Sequence, residues 1–154
     1  MNELKVNGER RTVTAAPSTP LLLVLRNELG LTAAKPGCML AQCGSCTVLV
    51  DGQARNSCTL PIAELGGAEI TTLEGLGTEA APHALQRAFI AENAAQCGYC
   101  TAGILLAAKA LLDRNPTPDE REVRRALKDN LCRCGSHNRV LRAVQRAARE
   151  LRPR

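Results

Sequence analysis

The stretch Gly37-Cys38-Met39-Leu40-Ala41-Gln42-Cys43-Gly44-Ser45-Cys46, with Cys58 further on, decides how this chain is read. Its cysteines follow the pattern C-x4-C-x2-C-x11-C. Plant-type [2Fe–2S] sites have this form, three close thiolates and a distant fourth around one cluster. Three thiolates so near in sequence need a loop that folds inward, so that sulfur and backbone N–H groups surround an inorganic core. Gly37 and Gly44 let the main chain approach closely and turn through positive φ. The fourth thiolate comes from a neighbouring element and ties the loop to the body of the fold.

The residues around this loop read as a strand-rich unit. Glu3–Val6 and Arg11–Thr14 are two short strands, and Asn7-Gly8 between them favours a tight hairpin turn. Ser18 or Thr19 can cap a helix that has Pro20 at its first position and ends at Gly30. Leu21, Leu22, Leu25 and Leu29 form its apolar face. After the loop, Thr47–Val50 and Gln53–Ser57 form a second hairpin about Asp51-Gly52. Pro61–Leu65 is a helical turn and Glu69–Thr72 a last strand.

The pattern changes near Leu76, so a linker is expected at about 74–80. Helical periodicity takes over after it. Helices are expected over Pro82–Asn93, with Leu85, Ala88 and Phe89 inward, and over Thr101–Arg114, with Ile104, Leu105, Ala108, Leu111 and Leu112 inward. Thr117-Pro118-Asp119-Glu120 reads as a capping box opening a third helix to about Lys128. A fourth spans Asn138–Leu151, with Val140, Leu141, Val144, Ala147 and Ala148 inward. The expected fold is therefore α+β: residues 1–75 a ferredoxin-like β-grasp domain, residues 76–154 a small four-helix bundle.

A second cysteine set lies in the helical part. Cys97, Cys100, Cys132 and Cys134 follow C-x2-C-x31-C-x-C, each pair at a helix junction. Thiolates near a helix N-terminus are stabilised by its dipole and free N–H groups, so four can meet at one end of a bundle. Taken alone, this set suits a structural zinc site as well as an iron–sulfur cluster. Beside the first set, a second [2Fe–2S] cluster is the better reading.

Composition narrows the function. Eight cysteines in 154 residues could make a disulfide framework. The start Met-Asn-Glu-Leu-Lys-Val has no apolar segment of the secretory kind, and the paired spacings suit metal. From Arg121 to Arg154 there are 11 Lys/Arg against three Asp/Glu, but no aromatic side chains for base stacking. A solvated face, or a surface for an acidic partner, fits better than nucleic acid. No apolar run is long enough to span a bilayer.

The residues Lys35-Pro36-Gly37-Cys38, Gln42-Cys43-Gly44-Ser45-Cys46-Thr47-Val48, Asp51-Gly52, Ser57-Cys58, Gln96-Cys97-Gly98-Tyr99-Cys100-Thr101 and Asn130-Leu131-Cys132-Arg133-Cys134-Gly135 carry a resemblance. Over about residues 2–150 the chain resembles the small two-[2Fe–2S] subunit of the molybdenum hydroxylases, the xanthine oxidase and aldehyde oxidoreductase family. In motif it is most similar to small subunits of isoquinoline 1-oxidoreductase and nicotinate dehydrogenase. The resemblance implies a first cluster on Cys38, Cys43, Cys46 and Cys58, and a second on Cys97, Cys100, Cys132 and Cys134 nearer the molybdenum. It also implies that Gln96 and Cys134 touch the molybdopterin; without it, Gln96 reads as a helix-end residue bonded within the chain. Met39 and Ala41 stand where many relatives carry Gly, Ser45 where Ala is common, and Ala102 where Pro is common. His83 and His137 read as surface or interface residues, and Lys35 as solvated or facing a partner acid.

The implied function is the non-catalytic electron-transfer subunit of an oxidoreductase. A large molybdopterin-binding partner would do the chemistry, and electrons would leave through both clusters to a cytochrome, a FAD subunit or another external acceptor. No G-x-G-x-x-G fingerprint is present for a flavin site of this chain's own. The expected place is the cytoplasm, or the periplasm if a signal-bearing partner carries the chain. The alternatives are a free-standing ferredoxin-type carrier and a zinc-binding interaction protein.

Overall fold

The structure, a computed structural model, describes residues 1–152. Five strands make one mixed sheet: β1 (Asn2–Val6), β2 (Glu9–Val13), β3 (Thr47–Val50), β4 (Gln53–Asn56) and β5 (Glu69–Thr71), in the order β2-β1-β5-β3-β4. β1 and β5 run parallel; the other pairings are antiparallel. Both hairpin turns carry positive φ at both central residues, 53° and 82° at Asn7-Gly8 and 48° and 75° at Asp51-Gly52. That is the turn whose twist matches the flanking strands. The edge strands β2 and β4 are polar and exposed, with Glu9, Arg10 and Arg11 on one and Gln53 and Arg55 on the other. Such edges resist pairing with other chains.

Helix α1 (Leu21–Asn27) lies on the sheet and buries Leu21, Leu22, Val24 and Leu25. Its start differs from expectation. Pro20 itself is the N-cap, at ψ 135°, and no side chain caps the helix. Pro20 is held extended by a bridge to Pro61, and the Leu21 N–H donates to the Leu60 carbonyl at 2.8 Å. A neighbouring segment thus satisfies the donor that a Ser18 or Thr19 hydroxyl was expected to take.

Four helices follow: α2 (Ala84–Ala91), α3 (Thr101–Arg114), α4 (Glu120–Ala126) and α5 (His137–Glu150). The capping box of α4 sits two residues later than expected. Asp119 is the N-cap and accepts from the Glu122 N–H at 2.7 Å, while Glu122 accepts from the Asp119 N–H at 2.7 Å. The α5 face is as expected, with Val140, Leu141, Val144, Ala147 and Ala148 buried together with Ala143.

Helix α3 departs most from a one-faced reading. Ten of its 14 residues are buried, as in a helix enclosed on more than one side. Ile104, Leu105, Ala108, Leu111 and Leu112 pack into the helical core. Leu106 and Ala110 face the other way and meet Leu49 of β3, with Leu76 beside them. The halves thus have separate cores, joined by this small apolar seam.

Helix α2 is capped by a histidine. His83 Nδ1 accepts from the Leu85 N–H at 3.2 Å, and the His83 N–H donates to Gln86 Oε1 at 2.7 Å. Burial, then the Lys109 ammonium, hold the imidazole below its ordinary 6.5, with Arg87 acting the same way and Asp113 and Glu150 opposing. The folded state therefore favours neutral His83. Its contribution is complete above the unfolded value and is lost as pH falls through the lower folded one. Denaturant midpoints should drop as pH falls from above the ordinary histidine value through the lower folded one in the wild-type chain, and less in His83→Asn, which keeps a capping acceptor. Parallel pH profiles for the two proteins would remove His83 as the cause.

Candidate metal centres

The first cysteine loop is built around its sulfurs. Cys38 Sγ accepts from the N–H groups of Leu40, Gln42 and Cys43, each at 3.3 Å. The Leu40 and Gln42 amides, followed by Cys43, bring this thiol down to about 7. Cys43 Sγ accepts from the Cys38 N–H at 3.3 Å. To aim so many amides at two sulfurs the chain turns through the left-handed region at Met39 (φ 56°) and Ala41 (φ 57°). These are the positions noted above as departing from a Gly common in the family, and a side chain there costs about 1 kcal/mol or more. Met39 packs against the sheet core, which offsets its strain; Ala41 has little comparable packing. Ala41→Gly should therefore raise stability by about 1 kcal/mol, while Met39→Gly gains less or loses. Melting both variants beside wild type decides this, and a lower midpoint for Ala41→Gly would refute the strain.

Cys46 and Cys58 complete the set from the first residues of the β3 hairpin and from the single turn after β4. Both are buried. Burial pushes the Cys46 thiol up to about 12, outweighing the Cys58 amide that bonds to it, as expected for sulfur withdrawn from water. The second set opens at the N-terminal end of α3, whose N-cap is Cys100. Its other two members come from the turn between α4 and α5. Burial pushes Cys100 up to about 12. Burial acts upward on Cys132 too, but the Ser136 hydroxyl and amide, the Cys100 thiol and the Cys134 amide together bring the thiol down to about 7. Cys97 is lowered by the Tyr99 N–H and the Cys134 thiol.

The thiols come in pairs. Cys38 meets Cys43, Cys46 meets Cys58, Cys97 meets Cys134, and Cys100 meets Cys132. A single tetrahedral ion needs four donors around one point. Among the described residues no three Cys, His, Asp or Glu side chains converge in that way. A two-iron cluster with four cysteine ligands takes two thiolates on each iron. The paired arrangement fits it, as do the amides aimed at the sulfurs, which would stabilise their negative charge.

The loops of the two sets are clamped together by the main chain. The Leu131 N–H donates to the Cys43 carbonyl at 3.0 Å, and Asn130 Nδ2 donates to the Gly44 carbonyl at 3.2 Å. The Tyr99 hydroxyl donates to the Pro36 carbonyl. A Cβ at Gly44 (φ 72°) would lie 2.6 Å from the Asp129 carbonyl oxygen, and one at Gly103 on α3 would overlap the Gly44 carbonyl oxygen. Asn130 is buried, and only its place just before the C-x-C pair could have suggested such a role. Cys38 and Cys43 share one cleft of about 470 Å³ with Cys97, Cys100 and Cys132.

The second set reaches the surface. Cys97, Gln96 and Gly98 are exposed, Tyr99 is 46% exposed, and Leu131 is 62% exposed. Among the described residues Gln96 makes no side-chain hydrogen bond within the chain, so the helix-end reading of it has no contact behind it. His137 is exposed on the same cleft, whereas His83 is the cap described above. Lys35 donates to the Thr32 carbonyl at 2.7 Å.

Residues 4–73 match the family described as 2Fe-2S iron-sulfur cluster binding domain, and residues 72–145 match a [2Fe-2S] binding domain. The chain is 58% identical to a nicotinate dehydrogenase subunit of Pseudomonas putida over 145 residues, 94% of this chain and 92% of that one. It belongs to the two-cluster iron–sulfur subunits of the molybdenum hydroxylases. The alpha chain of isoquinoline 1-oxidoreductase from Brevundimonas diminuta is 44% identical over 97% of this chain and 99% of its own length. Among solved structures, aldehyde oxidoreductase from Desulfovibrio desulfuricans superposes with a TM-score of 0.94 at 42% identity. It covers 97% of this chain, which spans only 17% of that longer one. Quinoline 2-oxidoreductase from Pseudomonas putida 86 superposes at 0.90, with 38% identity and coverage of 96% and 92%. The expected order, a ferredoxin-like half followed by a helical half, is the architecture of these relatives. Like the small subunits in this group, the chain is a non-catalytic part of an oxidoreductase and implies a large catalytic partner. Among the described residues no helix is long and apolar enough to cross a membrane.

Proposed function

We propose that this chain is the electron-transfer subunit of a molybdenum hydroxylase, with a ferredoxin-like domain over residues 1–75 and a helical domain over 76–154. Cys38, Cys43, Cys46 and Cys58 hold one [2Fe–2S] cluster, and Cys97, Cys100, Cys132 and Cys134 hold the second. When bound, the clusters supply a one-electron relay from molybdenum in the large subunit to a cytochrome, a FAD subunit or another external acceptor. The C-x4-C-x2-C-x11-C loop with three amides aimed at the sulfur of Cys38 carries this reading, supported by the two family matches.

The chain's own residues do three things in this scheme. The amides of Leu40, Gln42 and Cys43 hold the sulfur of Cys38 as an anion. The Cys43–Leu131 and Gly44–Asn130 bonds keep the two loops in register. The exposed edge of Gln96 and Cys97, with Cys134 behind it, offers itself to the partner's molybdopterin, where an amide side chain can both donate and accept. Relatives named for nicotinate and isoquinoline support an N-heteroaromatic substrate for the holoenzyme. The compartment proposed is the cytoplasm.

The test is to purify the chain under mild conditions and assay metal, sulfide and partners. About four iron and about four sulfide per chain, two paramagnetic signals on reduction and a copurifying large molybdenum protein are expected. One equivalent of zinc would restore the interaction-protein reading. A monodisperse two-cluster chain with no large partner would restore the free carrier.

A further inference from the structure

Ser136 stands at the N-cap of α5, where a serine hydroxyl ordinarily accepts from the second or third amide of the helix. It does not do so here: no side chain caps α5. The carbonyl of Ser136 accepts from the Arg139 and Val140 amides as the helix requires, but the hydroxyl turns the other way. It lies 3.2 Å from Cys132 Sγ. The residue is only 2% exposed, so water does not compete for the hydroxyl. A capping bond worth on the order of 1 kcal/mol has been given up for a contact with sulfur.

The first set holds a serine with the same kind of contact but a different bond. Ser45 Oγ is 3.1 Å from Cys43 Sγ, yet donates to the Lys35 carbonyl at 3.1 Å. A hydroxyl has one proton. With that proton on Lys35, Ser45 offers Cys43 no donor. Ser136 makes no other side-chain bond among the described residues. Once Cys132 is a thiolate its sulfur has no proton to give, so the hydroxyl must be the donor.

We infer that Ser136 is a positioning residue that donates a hydrogen bond to Cys132 and raises the reduction potential of the cluster in the helical half, without a matching effect on the other cluster. The inference rests on the two-cluster reading above. A donor on a ligand sulfur favours the more negative, reduced state. Electrons entering the chain are thereby held at the helical end in proportion to this one bond. Transfer onward to the ferredoxin-like half depends on how far that end is stabilised.

The experiment is a redox titration of the full chain in the complex it purifies in, followed by electron paramagnetic resonance, for wild type, Ser136→Ala, Ser136→Thr and Ser45→Ala. Ser136→Ala should lower the potential of one signal only. A tenfold change in the equilibrium between the two clusters corresponds to 59 mV for a one-electron couple. Ser136→Thr, which keeps the hydroxyl, should restore the wild-type value, and Ser45→Ala should shift neither signal comparably. Melting of Ser136→Ala should be nearly unchanged, because no cap is lost. A lower melting point with both potentials unmoved would make Ser136 an ordinary structural residue and end the inference. Fewer than two clusters in wild type would instead overturn the reading beneath it. If the alanine variant fails to load its second cluster, Ser136→Gly takes its place in the titration: its helical-cluster potential should fall as stated for alanine, and an unmoved potential overturns the inference.

Discussion

Gly103→Ala should destabilise the chain by about 2–3 kcal/mol, the upper part of the range for overpacking. Helix propensity alone gives the opposite sign, since alanine is better than glycine inside a helix by about 1 kcal/mol. Contact geometry reverses it. The new methyl group would overlap the carbonyl oxygen of Gly44, a backbone atom that cannot rotate away. The loop cannot retreat either. A Cβ built on Gly44 already falls 2.6 Å from the Asp129 carbonyl oxygen, so the chain at Gly44 lies against the Asp129–Asn130 segment. The Asn130 amide holds the Gly44 carbonyl from that side. Relief must come from sliding α3 off β3, which opens the seam of Leu49, Leu106 and Ala110. Both cysteine loops meet at this point, so cluster retention should fall along with the denaturant midpoint. Equal or greater stability in Gly103→Ala would show that propensity governs the position and that the seam is loose.

The contrast between local and distant causes explains what could be read from the sequence. The hairpins about Asn7-Gly8 and Asp51-Gly52 announce themselves because two adjacent residues determine such a turn. The α5 face is legible because burial on one side leaves a single period, from Val140 to Ala148. Both cysteine sets are legible as spacings. The amides of Leu40 and Gln42 around Cys38 follow from the tight loop such a spacing requires. Other features have no local signature. The start of α1 depends on Pro61, far along the chain, supplying a bridge to Pro20. The box at Asp119 and Glu122 competes with an equally plausible one at Thr117 and Glu120, and only the extended backbone of Asp119 itself, at ψ 170°, decides. The second face of α3 is invisible because Leu106 and Ala110 look like ordinary helix residues until β3 is placed beside them. The same holds for Asn130, whose partner Gly44 lies 86 residues away. Ser136 is a rule broken locally: a serine at a cap position that does not cap. Such departures from local consistency are where function is to be sought.

Cys58→Ala should cost the protein one whole cluster and leave the other in place. Cys58 is 4% exposed and pairs with Cys46. Alanine at 58 therefore removes half of the thiolates from one iron. The surrounding structure offers no substitute: Ser57 beside it spends its hydroxyl on the Cys46 carbonyl at 2.6 Å. Iron should fall from about four to about two per chain, and one paramagnetic signal should vanish. The other should persist, because Cys97, Cys100, Cys132 and Cys134 all come from the helical half. The bonds from Leu131 to Cys43 and from Asn130 to Gly44 use carbonyls of the first loop that the substitution leaves in place. Stability should not fall evenly. A cluster that assembles only on the folded loop contributes its binding free energy to folding, so the strand-rich half should melt earlier than the helical one. Hydrogen exchange can resolve this, with β3 and β5 losing protection before α3 and α5. Loss of both signals in Cys58→Ala would mean that the two halves load as one cooperative unit. Retention of both signals at full iron would remove Cys58 from the ligand set.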